Sequence, residues 1–127
     1  MVIASSATII KDKMILLIKR SNYTKVFPGY WACPGGRANE GESPEQVVVR
    51  EVREEVNLDF EPKELIKKGQ YEDRELFRFY GTWSGKVKIQ EDEVSDWNWF
   101  SYNDAIKLKL AFDYREVIEI LHQKNLL

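Results

Sequence analysis

Residues Gly36 to Leu58 read GRANEGESPEQVVVREVREEVNL, and within them Glu51 is followed by Glu54 and Glu55 at helical spacings of three and four. Wound into a helix, these three carboxylates share one face, with neighbouring Cβ atoms about 5–6 Å apart. The helix positions that could pair Glu51 and Glu55 are Val47, Val48, Val52, Leu58, Asp59 and the other acids, so neither meets a Lys or Arg there. Only Glu54 has a helical cation within reach, Arg50. Two unit charges about 5.5 Å apart repel by roughly 3 kcal/mol at an effective dielectric near 20. A bare cluster therefore strains the helix or lifts a carboxylate pKa, and a divalent cation removes the conflict. Oxygen-only ligands point to Mg²⁺, which takes one or two carboxylates, keeps waters and completes its shell with substrate phosphates. Mn²⁺ is the substitute of similar ligand preference. The competing reading, a solvated acidic helix face, leaves the missing cations and the glycine-rich entry unexplained.

The same stretch carries its own helix signals. Ser43 suits the N-cap, Pro44 the first helical position, and Gln46 completes a capping box with Ser43. Val49, Val52 and Val56 recur at helical spacing and predict a buried stripe beside the acidic face. Asn57 can adopt the left-handed conformation that ends helices.

Gly36, Glu42 and the run Arg50-Glu51-Val52-x-Glu54-Glu55-x-Asn57-Leu58 together resemble the Nudix box of the Nudix hydrolase superfamily. One position departs. The family usually carries Gly where this chain has Asn57, which predicts a small stability cost and an intact site, because Asn tolerates positive φ. A looser similarity to small MutT-type members extends from ILLIKR (Ile15 to Arg20) through WACPGG (Trp31 to Gly36) to DWNWF (Asp96 to Phe100). The resemblance implies the Nudix α/β/α sandwich, a mixed β-sheet between helices, in the α/β (α+β) class. It also implies that Glu51, Glu54 and Glu55 are metal ligands, that Gly35 adds a carbonyl ligand, and that Arg50 orients the carboxylates. Glu42 matches a box acid that relatives use peripherally.

A chain of 127 residues, 43% hydrophobic and 31% charged, fits a single soluble domain spanning 1–127. Its net charge of −2 gives no global attraction to nucleic acid or membrane. Small phosphorylated ligands need only a local cation site. Cys33, the one cysteine, excludes an internal disulfide and fits a reducing cytoplasm. No targeting segment is read, and no stretch approaches the ~20 apolar residues of a membrane span. Monomer and homodimer both remain open.

Periodicity and turn residues predict strands over Val2 to Ile10, Met14 to Lys19, Tyr30 to Cys33, Glu64 to Tyr71, Glu75 to Trp83 and Asp96 to Phe100. The box helix falls in the middle, a short helix after Ser101, and a terminal helix over about Tyr114 to Gln123. Strands mixed with three helices predict a sheet covered on both sides.

A diphosphate link is highly anionic, so attack on it needs charge neutralisation and in-line placement. A carboxylate can take the proton of the attacking water. Glu51 is one candidate base. Glu91 and Glu93 are others, because MutT-type relatives carry a functional acid in the matching loop. Glu93 aligns best with it, as base and metal ligand. A solvated acidic turn over Glu91, Asp92 and Glu93 stands level with that reading. Gly35 and Gly36 allow the backbone to approach an ion or phosphate closely, which places Gly36 among the substrate-binding candidates; an ordinary turn is the alternative.

Arg20 ends the second strand, where MutT-type relatives place a phosphate-binding arginine; a surface arginine competes. Trp31, Trp83, Trp97 and Trp99 offer faces for stacking a base, or fill the core. Asp113 resembles an acid that some small Nudix enzymes use against the nucleobase. It equally suits capping the last helix, with Glu116 three residues on, and the cap is the better fit. His122 reads as a solvated helix residue. Markers of the ADP-ribose, NADH and coenzyme A subclasses are absent. That leaves a nucleoside triphosphate, oxidised or non-standard ones included, cleaved to the monophosphate plus pyrophosphate. Dinucleoside polyphosphates, nucleotide sugars and RNA 5′ ends compete within the same chemistry. A non-catalytic nucleotide-sensing module is the alternative from another class, opposed by the presence of every box glutamate.

Overall fold

A computed structural model describes residues 1–127, which run β1 (Val2–Thr8), β2 (Ile10–Lys11), β3 (Met14–Arg20), β4 (Trp31–Ala32), β5 (Gly35–Arg37), α1 (Pro44–Val56), β6 (Leu58–Tyr71), β7 (Arg74–Gly85), β8 (Val94–Phe100), α2 (Tyr102–Ala105) and α3 (Tyr114–Gln123). Alternation along β3 organises the packing, since successive strand side chains point to opposite faces. Leu16 and Ile18 join a core with Val48, Val52 and Val56 of α1. Ile15 and Leu17 join a second core with Val117, Ile118 and Leu121 of α3. β-Structure thus lies between helices, as expected.

The β-structure is two four-stranded sheets where one had been expected. The first has the order β5-β1-β7-β6 and is mixed, with β1 parallel to β7 from Val2 opposite Arg74 to Thr8 opposite Tyr80. In the second, β2, β4 and β8 each pair antiparallel with β3.

Helix α1 forms where its signals placed it. Ser43 Oγ accepts from the Gln46 amide at 3.2 Å, and Gln46 Oε1 accepts from the Ser43 amide at 2.9 Å, closing the capping box. Asn57 ends the helix at φ 62°, and its Nδ2 donates to the Lys86 carbonyl at 3.3 Å. The buried stripe differs from expectation: Val49 is exposed, while Val47, Val48, Val52 and Val56 are fully buried. α1 packs against β1, β5 and β6, so the covered arc is wider than a single stripe and centred away from Val49.

Two further features bear on the site. Gly35–Arg37 is an edge strand, not the ordinary turn that was the alternative reading of Gly35 and Gly36, with Ser6 opposite Gly35 and Ser5 opposite Gly36. A Cβ on Gly35 would stand 2.2 Å from the Ser5 carbonyl oxygen, so only glycine permits this pairing. β6 starts at Leu58, directly after the helix, and absorbs Pro62 at a register shift between Pro62 and Glu64. No helix is long and apolar enough to cross a membrane.

Candidate active site

Strand β5 and helix α1 lie side by side, which sets the Gly35 amide 2.6 Å from Glu55 Oε1. Glu55 is only 8% exposed although it belongs to the acidic face. Glu51 comes equally close to the other glycine: a Cβ on Gly36 would stand 2.4 Å from Glu51 Cδ. Glu51, Glu55 and Glu93 line one cleft of about 850 Å³, together with Gly35 and Gly36. Arg20, Lys25, Arg37 and Arg74 line it too, and none of these four forms an ion pair.

The acids are electrostatically frustrated. Burial pushes the Glu55 carboxyl well above its ordinary value; the Gly35 amide opposes the shift, and the charges of Glu51 and Glu93 add to it. Burial also raises Glu51, against the pull of Arg50 and with a push from Glu54 and Glu93. Burial lowers Arg20 despite the attraction of Glu55 and Glu93.

Arg50 corrects one expectation. Its Nη1 donates to Glu51 Oε1 at 2.8 Å and lies 3.2 Å from Glu54 Oε2. Nε and Nη2 donate to the two Glu42 oxygens, each at 2.8 Å. Glu51 therefore has a cation partner, its immediate neighbour in the chain. The spacing rule for helix faces follows Cβ positions, whereas a long guanidinium swings across the face and reaches residue i+1. Hydrogen bonds from Arg50, with one from the Asn39 amide, hold Glu42 at about 2. The bonds to Glu42 and Glu51 raise Arg50 in turn.

No three acids are gathered as a ready metal-ligand set; Arg50 and Gly35 each hold one carboxylate oxygen. The donor set nevertheless suits a hard divalent cation. Glu51 and Glu55 each keep an oxygen without a hydrogen-bond partner, and each has its proton affinity raised by burial and like charge. A bound cation relieves both. Glu93 lines the same cleft, whereas Glu54, half-exposed on Arg50, and Glu91 do not.

Of the substrate-binding candidates, Arg20 and Gly36 line the cleft and Asp113 does not. Asp113 precedes α3 but makes no capping bond. Its Oδ2 accepts from Lys67 Nζ at 2.8 Å and its Oδ1 from Arg78 Nε at 2.9 Å. Buried Arg78 and half-buried Lys67 outcompete the helix amides for the carboxylate. None of Trp31, Trp83, Trp97 and Trp99 lines the cleft; Trp83 pairs with Trp99, and Trp31 packs edge-on against Phe100. His122 is exposed, its ring stacked on Tyr102. Lys25, Arg37 and Arg74 escaped the sequence reading. Nothing local marks them, since their convergence depends on the β1–β7 pairing and on the loop after β3.

The family comparison agrees with this geometry. The NUDIX domain profile matches residues 2–121. An ADP-ribose pyrophosphatase of Methanocaldococcus jannaschii is 34% identical over 92% of this chain and 70% of its own length. The nucleoside triphosphatase NudI of Escherichia coli is 30% identical over 86% of this chain and 88% of its own. A MutT NUDIX hydrolase from Burkholderia pseudomallei superposes with a TM-score of 0.83 at 25% identity, covering 94% of this chain and 97% of that one. Box helix, acid-lined cleft and matched relatives converge: the chain belongs to the NUDIX family and is a small MutT-type hydrolase.

Proposed function

We propose that the chain hydrolyses the phosphoric anhydride of nucleoside triphosphates to the monophosphate and pyrophosphate, supported by Mg²⁺ or Mn²⁺. The observation that carries this reading is the meeting of three acids, Glu51, Glu55 and Glu93, with four cations free of ion pairs in one cleft. Glu51, Glu55 and Glu93, with the Gly35 backbone, would hold the cation. Glu54, the remaining box acid, is held on Arg50 outside the cleft lining. When bound, the cation neutralises phosphate charge and acidifies water.

The chain's own groups do the rest. Arg20 and Arg74 grip phosphate oxygens, a task that suits the planar guanidinium fork. Gly36 lets the substrate backbone-approach side of the cleft stay open beside Glu51. Arg50 holds Glu51 Oε1 and leaves its second oxygen without a hydrogen-bond partner. Glu51 or Glu93 takes one proton from the attacking water, whose oxygen bonds to phosphorus as the bridging P–O bond breaks; the leaving pyrophosphate keeps that electron pair. The buried free thiol of Cys33 suits a reducing cytoplasm.

A second reading, a nucleotide-sugar substrate, is favoured by the name of the Methanocaldococcus relative. Incubation with nucleoside triphosphates, ADP-ribose and dinucleoside polyphosphates, with and without Mg²⁺, separates the readings by product. Monophosphate plus pyrophosphate from a triphosphate is expected. Turnover of ADP-ribose alone would favour the second reading, and no turnover of any substrate would sink both.

A further inference from the structure

Glu93 reaches the cleft from residues 86–93, which join β7 to β8 without helix or strand structure of their own. Its side chain is exposed and enters no ion pair, so the backbone of the connection has to aim it. A loop places a functional group accurately only when a rigid element holds the loop. What holds this one lies outside the cleft, at the C-terminal end of α1.

The last carbonyls of an α-helix have no partner within the helix. In α1 two of them receive the connection. The Lys88 amide donates to the Val56 carbonyl at 3.0 Å, and the Gln90 amide to the Glu55 carbonyl at 2.9 Å. Val87 and Ile89, alternating with these residues, pack against the core that α1 covers. From Gln90 one turn reaches the acid, with the Glu93 amide donating to the Gln90 carbonyl at 3.1 Å. Glu55 and Glu93 are thus joined through one helix carbonyl and one turn. The charge of Glu93 accordingly acts on both Glu51 and Glu55.

A side chain ties the start of the connection. Leu58 lies opposite Gly85 in the β6–β7 ladder, and the register carried one step further brings Asn57 to Lys86. The Asn57 backbone N–H is spent on the Arg53 carbonyl at 3.1 Å, closing α1. Nδ2 supplies the donor instead, to the Lys86 carbonyl at 3.3 Å. Glycine would hold a φ of 62° with less strain. Ending the helix therefore calls for no side chain at this position, whereas tying Lys86 does.

We infer that Asn57 is a positioning residue: its carboxamide fixes the first residue of the 86–93 connection and so sets Glu93 opposite Glu51 and Glu55. The inference rests on the place given to Glu93 in the proposed function.

The test compares Asn57→Gly, Glu93→Gln and the double variant with wild type. Asn57→Gly keeps the left-handed helix end and removes the carboxamide, so its melting temperature should stay within a few degrees of wild type. Hydrogen exchange of the Lys88 and Gln90 amides should become at least about threefold faster, with the Val52 amide of the helix interior unchanged. Asn57→Asp, equally at ease at positive φ but lacking the donor, should loosen the same two amides. Mn²⁺ titrated without nucleotide should bind Asn57→Gly about three- to tenfold more weakly, the range of one lost hydrogen bond. Beside Glu93→Gln the same substitution should change Mn²⁺ affinity less than about twofold, because a residue acting through another is not additive with it. Unchanged exchange at Lys88 and Gln90, or an Mn²⁺ effect that persists in full beside Glu93→Gln, overturns the inference and leaves the proposed function standing. Glu93→Gln binding Mn²⁺ like wild type removes Glu93 from the metal site and takes the inference with it.

Discussion

The Gly35 amide donates to Glu55 Oε1 at 2.6 Å, tying an edge strand to the buried acid of the box helix. That bond occupies one oxygen and leaves the other without a hydrogen-bond partner. It also explains why two adjacent glycines have different duties.

Gly35→Ala would drive a Cβ to 2.2 Å from a backbone oxygen of β1. The backbone cannot yield cheaply, so a stability loss of about 1–3 kcal/mol or more is expected. At Gly36 the obstacle is the Glu51 carboxylate at 2.4 Å, the mobile end of a side chain. Gly36→Ala should leave the melting temperature within a few degrees of wild type and depress turnover sharply. Paired melts and rate measurements decide this, and the reverse pattern would contradict it.

Protonation of Glu55 links the site to stability. Its folded pKa is raised, so its contribution to stability is greatest in acid and is lost as pH rises toward the folded value. Glu51 has the same sign. Glu55→Gln should therefore stabilise the metal-free protein at pH 8 and give no gain near pH 4. Melting temperatures across that range, in chelator, test the slope; a pH-independent difference would contradict it.

Asp113 has the opposite sign. Burial would raise it, but Arg78 and Lys67 hold it below its ordinary value. Its contribution is present above the usual carboxyl range and is lost as pH falls through the lowered folded value. Asp113→Ala leaves Arg78 buried without its counter-charge, a loss of about 3–5 kcal/mol at neutral pH. Urea unfolding at pH 7 and at pH 3 should show the difference shrinking in acid.

Arg50 bridges Glu42, Glu51 and Glu54. Arg50→Lys keeps the charge and loses the fork, so it cannot span Glu42 and Glu51 together. Activity should fall about 10–100-fold, with kcat the affected quantity and the fold preserved by circular dichroism. A lysine variant as active as wild type would remove Arg50 from the positioning of Glu51.

What the sequence disclosed was local. Ser43, Pro44, Gln46 and Asn57 bound α1 because capping acts within one turn, and the spacing of Glu51, Glu54 and Glu55 needed only a helix to be read. The missed features depend on distant partners. Gly35 and Gly36 read as a close-approach loop, and their strand was missed because nothing nearby announces β1 as their pairing partner. Arg78, between Phe77 and Phe79, looks like one polar residue in an alternating strand; its burial on Asp113 joins residues 35 apart. The division into two sheets is likewise set by pairings such as β1 with β7, which span most of the chain.

The central claim is that Glu51 and Glu55 hold a divalent cation on which pyrophosphate cleavage depends. Mn²⁺ titration followed by electron paramagnetic resonance, on wild type and Glu55→Gln, measures it most directly. Wild type should bind Mn²⁺ in competition with Mg²⁺, and Glu55→Gln should bind at least about tenfold more weakly. The account is contradicted by a Glu55→Gln protein that binds Mn²⁺ like wild type and cleaves nucleoside triphosphates as fast.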